Sequence, residues 1–421
     1  MYKQNILINF PSILLIFLPF FLITGPFLAD LAVSLISLLF IIKIFIEKDY
    51  SIFRNKYFQI FLIFWIYLLF NSLVQNQNID SLRISLFYFR FGFFIFAIAF
   101  LLRKKKDNAK LFFYSLLACF IALIIDGSFQ YIVGKNLFGY TLHVGPRVSS
   151  FFGEELIMGS YLSRLFPLLL GLHFYLKFKK NSKKFNLLML FIFISLEILI
   201  FLSGERSSFF YLNLTAIFFI IFIKDYRSTT IFILSLSLIL IFLLIQFNHQ
   251  FSKRMINQTL EEMNLLSLFN FSSVEKKVIF SQHHTDHYLT SLNMFKDNVI
   301  LGVGIKNFRK FCSDEKYSVS KTACASHSHN TYIQLLAETG IIGFLFIIYF
   351  LLLLFYYYLK HLKLSFYSKS FLSPYQVCLL TSVLITLWPI VPSGNFFNNW
   401  LSIIYYLPLG FILHSFGEKK P

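Results

Sequence analysis

The chain of 421 residues is 57% hydrophobic and only 14% charged, with a mean hydropathy of +0.69, which excludes an ordinary soluble domain. Many apolar runs reach the roughly 18–20 residues needed to cross a bilayer, so the expected fold class is an all-α polytopic membrane protein surrounded by membrane lipid. The formal net charge is +18. Basic runs such as 103–106 and 177–184 follow the pattern of cytoplasmic loops, so we expect no nucleic acid as a partner.

The apolar runs predict about twelve membrane spans in one integral membrane domain, 1–421, with both termini in the cytoplasm. The first run follows Lys3 as a signal peptide would, but it lacks a small-residue cleavage site and leads straight into the second run. We therefore expect it to remain as the first span. The predicted spans are 6–23, 27–46, 57–74, 84–102, 111–133, 158–176, 187–202, 209–223, 230–245, 341–359, 373–390 and 400–414.

A long polar stretch separates the ninth span from the tenth and is expected to form a large, mainly helical loop outside the cytoplasm. Together with the interfacial helix that follows it, this loop covers 246–340. Asp286 is expected to cap a helix that reaches Phe295. The glycines of 301–304 then predict a turn, which is no dinucleotide fingerprint because a third glycine is missing.

The loop closes with a polar segment, 327–330, that passes directly into apolar sequence. A single helix over 330–359 would be roughly 45 Å long, which exceeds the roughly 30 Å hydrocarbon core of a bilayer. The Thr-Gly pair at 339–340 predicts a break, since glycine is a common helix terminator. We therefore expect a short interfacial helix over about 330–338, with His329 at the membrane surface.

Four arginines fall outside the pattern of basic cytoplasmic loops. Arg90 and Arg164 lie inside the fourth and sixth spans, about 9 Å below the outer surface by helical rise, and Arg147 and Arg206 lie in loops just above. A cation inside a span is costly and normally faces a partner or a cavity. One interpretation is structural neutralisation by an acidic residue; the candidates are Asp30, Asp126 and Glu197. The other is a shared anion site, because the guanidinium fork suits phosphate oxygens.

His329 and the arginines together suit transfer of a sugar from a polyprenyl pyrophosphate. Arginines can stabilise the departing pyrophosphate without a metal. A histidine with an ordinary pKa near 6.5 can accept the proton of the attacking hydroxyl at neutral pH. We therefore expect neither a metal nor another cofactor.

A run of histidines at 283–287, His-His-Thr-Asp-His, offers a metal site as an alternative use of the large loop. His283 and His287 would share one face if the segment were helical, a spacing that zinc sites use. No second half of a zinc motif accompanies them, so a solvated loop is the favoured interpretation.

The four cysteines divide into two pairs by position. Cys119 and Cys378 lie inside predicted spans and are expected to be buried apolar residues. Cys312 and Cys324 lie in the large loop, which the topology places in an oxidising compartment. Paired thiols tend to close there, so we expect a disulfide between them.

The string CASHSHNTYIQLLAETGIIGF resembles the signature of the O-antigen ligase and polymerase family, in which a His-Asn pair precedes an aromatic residue, an acidic residue and two glycines. Those elements here are His329, Asn330, Tyr332, Glu338, Gly340 and Gly343. Two further strings, SGERSSFF and PRVSSFFGEELIMGSYLSRLFP, are similar to the family's arginine regions, carried by Arg206, Arg147 and Arg164. LGVGIKNF is similar to a loop segment of the family.

The resemblance implies a metal-independent glycosyltransferase of the GT-C type with an undecaprenyl-pyrophosphate-linked glycan as donor, at the periplasmic face of the bacterial inner membrane. His329 would act as the general base or orient the acceptor. Arg206 and Arg147 would form the main pyrophosphate clamp, with Arg164 and Arg90 as weaker candidates.

The expected function is O-antigen ligase-like transfer of the glycan to a lipid A-core or similar acceptor. A polymerase, which uses another lipid-linked repeat unit as acceptor, is the alternative within the same class. A flippase or transporter is the alternative from another class. Such a protein would favour paired internal repeats and broken helices at the bilayer midplane, and the sequence contains no internal repeat.

Overall fold

A computed structural model describes residues 2–75, 79–176, 183–247, 253–262, 281–367 and 369–417. Helices dominate these ranges, and no strand occurs within them. The all-α class is therefore confirmed. Most of the predicted cytoplasmic loop 177–186 lies outside the described residues, as do two parts of the large loop, 248–252 and 263–280.

In chain order the helices are α1 Tyr2–Thr24, α2 Pro26–Glu47, α3 Lys56–Val74, α4 Ile79–Phe87, α5 Phe89–Lys104, α6 Asp107–Val133, α7 Met158–Tyr175, α8 Lys183–Ser203, α9 Arg206–Phe222, α10 Arg227–Phe247, α11 Gln258–Glu262, α12 Gln282–Asp297, α13 Phe308–Phe311, α14 Thr331–Phe366, α15 Pro374–Thr386 and α16 Asn399–Gly417. Short 3₁₀ turns cover Ser51–Arg54, Ser150–Phe152 and Lys224–Tyr226, and a π-helical turn covers Lys253–Asn257.

Each predicted span overlaps a helix. Among the described residues, eight helical segments are long and apolar enough to cross a membrane, one of them formed by α4 and α5 together over Ile79–Lys104. Leu187–Ser203, Arg206–Phe222 and Pro374–Thr386 are shorter apolar helices. The polytopic membrane class is supported by these helices, whereas twelve crossings and cytoplasmic termini remain a prediction.

The bundle packs through aromatic rings and through close backbone approaches. α16 lies along α5, and α15 lies along α7. The hydroxyl of Tyr406 in α16 donates to that of Tyr88 at 3.1 Å, and both rings are buried. At Gly410 a Cβ atom would lie 2.5 Å from a side-chain atom of Ile98, so the two helices need a glycine there. Close packing of this kind holds helices together where lipid supplies no hydrophobic drive.

The predicted break in α14 is confirmed. Gly340 has φ 60° and ψ −166°, a conformation that is essentially restricted to glycine. The break frees the carbonyls of Ala337 and Glu338 from the helical ladder. These oxygens accept the backbone N–H groups of Val303 at 2.8 Å and Gly304 at 3.0 Å, so the broken helix holds the glycine turn of the large loop.

Polar side chains of α3 hold the same turn from the other side. The Nδ2 atom of Asn71 donates to the carbonyl of Leu301 at 2.6 Å. The hydroxyl of Tyr67 donates to the carbonyl of Thr339, next to the break. The described end of the large loop is therefore fixed against the bundle at two points.

The histidine run lies in a helix, so the solvated-loop interpretation is wrong. α12 starts one residue after Ser281, whose Oγ accepts the backbone N–H of His284 at 3.4 Å. Asp286 is not the expected cap: it lies inside α12 and accepts side-chain hydrogen bonds from Ser320 and Gln282, each at 2.7 Å. The cap falls on the earlier serine because the carboxylate is already engaged by a neighbouring loop.

We predict that Gly340→Ala destabilises the protein more than Gly145→Ala does. Both glycines have positive φ, so either alanine carries roughly 1–3 kcal/mol of backbone strain. Only at Gly340 would the new Cβ also meet a carbonyl, that of Ile300 at 2.2 Å, since nothing lies within 4 Å at Gly145. Thermal unfolding midpoints in detergent test this, and equal midpoints for the two variants would contradict it.

Candidate functional site

His329 lies directly before the first turn of α14 in a strained backbone conformation. Its φ is 55°, which is uncommon for a residue other than glycine. The next residue, Asn330, is the N-cap, and its Oδ1 accepts the N–H groups of Tyr332 at 3.0 Å and Ile333 at 3.2 Å. The His-Asn pair thus consists of a histidine turned out of the helix and a cap that starts it.

The connection between α15 and α16 holds the His-Asn pair in place. The backbone N–H of Ser393 donates to the carbonyl of His329 at 2.8 Å. Its Oγ accepts the backbone N–H of Thr331 at 2.9 Å. Asn330 Nδ2 donates to the carbonyl of Pro389 at 2.8 Å. The position of His329 therefore depends on a loop that follows it by about sixty residues.

Three other imidazole rings surround that of His329. Ring centroids lie 4.1 Å away for His327, 5.3 Å for His287 and 5.4 Å for His284. His327 and His287 are buried, and His284 and His329 are partly exposed. We call these four residues the histidine cluster. It joins the His-Asn pair to α12 of the large loop.

Backbone carbonyls fix the tautomers of the two buried rings. His287 Nδ1 lies 2.9 Å from the carbonyl of Ala323, and His327 Nε2 lies 3.3 Å from the carbonyl of Ser393. Because a carbonyl only accepts, each of these nitrogens carries the proton. The Nδ1 atom of His327 then accepts from Ser326 Oγ at 2.9 Å. These bonds orient both rings.

Burial disfavours the charged forms of His329 and His327. It lowers the pKa of His329 to about 3, with smaller contributions from the neighbouring histidines, and lowers the pKa of His327 to about 4. The ordinary pKa expected for His329 is therefore wrong. The ring is neutral at physiological pH and has a lone pair to accept a proton, but its protonated form is strongly disfavoured.

A second group of charged residues surrounds the turn between α8 and α9. Arg147 Nε donates to the carbonyl of Ser203 at 2.8 Å, and Arg254 Nε donates to the carbonyl of Gly204 at 3.2 Å. These carbonyls end α8, where the helix dipole favours cations. Gly204 has φ 67°, and a Cβ there would lie 3.0 Å from the Nε of both arginines. We call Arg147, Arg206 and Arg254 the arginine group.

The arginine group carries more positive than negative charge. Arg206 pairs with Glu262 at 2.8 Å. Within the described ranges, no carboxylate lies at salt-bridge distance from Arg147 or Arg254. Burial and, next, Arg254 lower the pKa of Arg147 to about 10, so it stays cationic at neutral pH. The surplus charge and the fork-shaped donors are suited to an anion such as a phosphate.

A buried carboxylate fixes this turn to α7. Glu205 Oε1 accepts the backbone N–H of Gly159 at 2.6 Å, and its Oε2 accepts that of Ser160 at 2.9 Å and the hydroxyl of Ser208 at 3.0 Å. The N–H groups at the start of a helix have no partner within the helix, so the carboxylate caps α7. Burial raises the pKa of Glu205, and these bonds oppose that shift.

The arginine group adjoins the histidine cluster through the segment that follows α10. Arg254 and Glu262 belong to this segment, and Arg206 Nη1 lies 3.4 Å from the Oγ1 of Thr259 within it. Burial, then His287 and then Arg206 lower the pKa of His284, whereas Glu262 raises it. Arg206 is thus close enough to the cluster to influence its charge.

The two arginines of the spans have different surroundings. Arg90 Nη2 pairs with Asp30 at 2.6 Å, and its Nη1 donates to the carbonyl of Phe87 at 2.8 Å. Arg164 Nη1 donates to Ser160 Oγ, and its guanidinium lies 4.6 Å from the ring centre of Tyr211. Arg90 is neutralised by an acidic partner, whereas Arg164 stacks on an aromatic ring.

The other two acidic candidates bind uncharged groups. Asp126 Oδ2 accepts the hydroxyl of Ser150 at 2.6 Å, and Glu197 Oε2 accepts from Asn213 Nδ2 at 3.3 Å. In the part of the chain that the structure describes, neither forms an ion pair with an arginine. Neutralisation therefore accounts for Arg90 and not for Arg164.

Residues 187–348 match the O-antigen ligase family. This segment includes the histidine cluster, Arg206 and Arg254, and the break at Gly340, whereas Arg147 and Arg164 precede it. The family resemblance stated from the sequence is confirmed. No curated protein matched the chain.

Three contributors to the site were not predicted as such. His284 and His287 were visible as a histidine run, but only the fold of α12 brings their rings to His329. Arg254 follows α10 in a short basic stretch that resembles any loop of this kind. The feature that could have indicated a role for Arg254 is the end of α8, because the last carbonyls of a helix interact favourably with a basic side chain.

The alternative of a metal site at 283–287 does not gain support from the helix. His283 is exposed, whereas His287 is buried, so the two do not face one partner. No group of three or more His, Cys, Asp or Glu side chains in the described ranges is arranged to hold a metal ion.

The cysteines of the large loop lie beside the histidine cluster. The structure joins Cys312 to Cys324 by a disulfide, while Cys119 and Cys378 are free and buried. The residue before Cys324, Ala323, supplies the carbonyl that orients His287. The disulfide thus supports one wall of the cluster.

We expect mass spectrometry of non-reduced protein to find Cys312 and Cys324 in one cross-linked peptide. The loop that holds them is predicted to face an oxidising compartment. Alkylation before digestion should leave both sulfurs unmodified. The buried free thiols of Cys119 and Cys378 serve as the control and should react only after the protein is unfolded in denaturant. Recovery of both loop cysteines as alkylated thiols from native protein would contradict the assignment.

Acid should destabilise the protein through the histidine cluster. A histidine with a lowered folded pKa binds fewer protons when folded, so its contribution is complete above about 6.5 and is lost as pH falls towards the folded value. For His327, with a pKa of about 4, the loss at pH 5 is about 2 kcal/mol.

Melting temperatures of wild type and His327→Asn at pH 7.5 and pH 5 test this expectation. The drop between the two pH values should be smaller in His327→Asn than in wild type. His283→Asn, which changes an exposed ring on the neighbouring helix, should show the full drop. An equal drop in all three proteins would remove the cluster as the source of acid sensitivity.

Proposed function

We propose that the protein is an O-antigen ligase-like glycosyltransferase of the bacterial inner membrane. It moves a glycan from undecaprenyl pyrophosphate to a lipid A-core or similar acceptor at the periplasmic face, without a metal. The observation that carries this proposal is the contact of the His329 ring with His284, a ring whose charge is influenced by Arg206; all three residues lie within the family segment. A base and an anion clamp are the two parts that the chemistry needs.

The reaction exchanges one bond at the anomeric carbon of the donor sugar. The acceptor hydroxyl attacks this carbon, and the bond from the carbon to the pyrophosphate oxygen breaks. The hydroxyl proton passes to the unprotonated ring nitrogen of His329, and the bonding electrons leave with the pyrophosphate. Fixed cations at the departing group stabilise the charge that develops there.

Arg147, Arg206 and Arg254 form the clamp in this proposal. Arg147 and Arg254 use Nε to bind backbone carbonyls, which fixes each guanidinium plane and leaves its terminal amino groups for phosphate oxygens. Pyrophosphate competes with Glu262 for Arg206. Arg164 is a weaker candidate, and Arg90 is weaker still because Asp30 already neutralises it.

Loss of the base should abolish most of the transfer. We expect His329→Asn to fold normally, because asparagine tolerates positive φ, and to transfer glycan at least roughly 10²-fold more slowly. His327→Ala should be milder, since its ring is held by backbone and serine contacts away from the reacting group. Transfer is measured with expression level and melting temperature for each variant. Near-normal transfer by a folded His329→Asn would remove this mechanism.

Lysine should not replace the arginines of the clamp. Arg206→Lys and Arg147→Lys should each lower transfer by about tenfold or more, because one ammonium cannot supply a bidentate fork. Arg227→Lys is the matched control: it lies at the other end of α9 and binds the carbonyls of Ile220 and Ile221. Equal activity of all three variants would contradict a specific clamp.

The proposed topology places the site outside the cytoplasm. A membrane-impermeant thiol reagent added to cells should label Lys296→Cys in the large loop and leave Lys105→Cys unlabelled until the cells are opened. Both positions are exposed. The opposite pattern would overturn the topology, which rests on the distribution of basic residues.

The acceptor distinguishes ligase from polymerase. Purified protein should be given a lipid-linked glycan together with a core-lipid acceptor, and the products analysed. Transfer to the core lipid supports the ligase proposal. Extension of the lipid-linked chain instead indicates a polymerase, and movement without a covalent product indicates a transporter.

A further inference from the structure

His284 contacts the proposed base and is influenced by the charge of Arg206 in the arginine group. Its ring is perpendicular to that of His329 at 5.4 Å, and it is partly exposed. The charges of Arg206 and Glu262 act on this ring in opposite directions. Of the three rings around His329, His287 and His327 are buried and bound to backbone carbonyls, so only His284 leads from the cluster towards solvent.

A proton that reaches His329 cannot remain there between turnovers. The ring is partly buried among three imidazoles, and both the burial and these neighbours disfavour a positive charge on it. The proposed reaction delivers one proton in every cycle. The site therefore needs an exit for it.

We propose that His284 relays this proton from His329 to solvent, so that two histidines share the acid–base work. The proposal deepens the function proposed above and rests on it. His284 acts through His329 and does not touch the substrate, which makes it a proton-relay residue rather than a catalytic one.

The N-cap of α12 prepares His284 for this role. Ser281 Oγ accepts the backbone N–H of His284 and lies 2.7 Å from its Nδ1. The second lone pair of this oxygen can accept an Nδ1 proton, which leaves Nε2 unprotonated. Within the described residues, no protein group is hydrogen-bonded to Nε2. The nitrogen able to take a proton is thus the one without a fixed partner.

The relay conserves protons and moves no electrons between molecules. The acceptor O–H bond breaks and its proton binds the free ring nitrogen of His329. The imidazolium of His329 then gives one proton to Nε2 of His284, and the resulting imidazolium of His284 loses one to water. Both rings return to their neutral form, and the only co-reactant is solvent.

Charged and titratable groups from three elements face His284. They determine how readily it holds a proton in transit: Arg206 and His287 oppose its protonated form, and Glu262 favours it. The exposed neighbour His283 also opposes it, with a smaller effect. The protonated form of His284 is therefore short-lived, as a relay requires.

The test uses His284→Ala with His283→Ala as the matched control on the same turn of α12. At low buffer concentration, His284→Ala should transfer glycan at least about tenfold more slowly than wild type, and added imidazole should restore much of the loss by entering the vacated space. Wild type and His283→Ala should respond to neither buffer nor imidazole. Dependence on a small proton carrier is a readout that a purely structural residue would not give.

Each remaining outcome overturns the relay. Normal transfer by His284→Ala does so, and so does a loss that imidazole leaves unchanged in a protein with an unaltered melting temperature. Loss of wild-type transfer in EDTA with recovery on adding Zn²⁺ would assign the rings to a metal instead. His329→Asn tests the proposed function, because full activity of this variant would refute His329 as the base. His284→Ala tests only the path by which the proton leaves His329.

Discussion

The arrangement of the site depends on the broken helix at Gly340. A continuous helix would keep its carbonyls within its own ladder, and the break releases those of Ala337 and Glu338 to bind the glycine turn at Val303 and Gly304. This turn follows α12, the helix that carries two rings of the histidine cluster. One backbone conformation thus sets the distance between the first part of α14 and the large loop, and with it the surroundings of His329.

The two halves of the site have opposite electrostatic designs. In the histidine cluster, burial and the neighbouring imidazoles lower the pKa of His329 and so keep its ring neutral. The arginine group accumulates charge, because uncharged carbonyls at the end of α8 bind Arg147 and Arg254 without neutralising them. In the proposed reaction, the neutral ring would accept the proton while the fixed cations stabilise the leaving anion.

Local patterns in the sequence predicted the membrane class, the break at Gly340 and the family, because each depends on hydrophobic length, on one glycine or on one string. They did not predict the cap at Ser281, since Asp286 is an equally good cap until Ser320 engages it. The contributions of His284 and Arg254 depend on contacts between distant segments, which no local spacing encodes. The lowered pKa of the proposed base likewise follows from burial in the folded site.

The central claim is that the histidine cluster and the arginine group serve one substrate. A structure determined with a polyprenyl-pyrophosphate-linked sugar bound tests it most directly. We predict that phosphate oxygens lie about 3 Å from guanidinium nitrogens of Arg147, Arg206 and Arg254, with the anomeric carbon on the side of His329. Pyrophosphate bound away from all three arginines, or bound to them with the sugar facing away from His329, would contradict the claim.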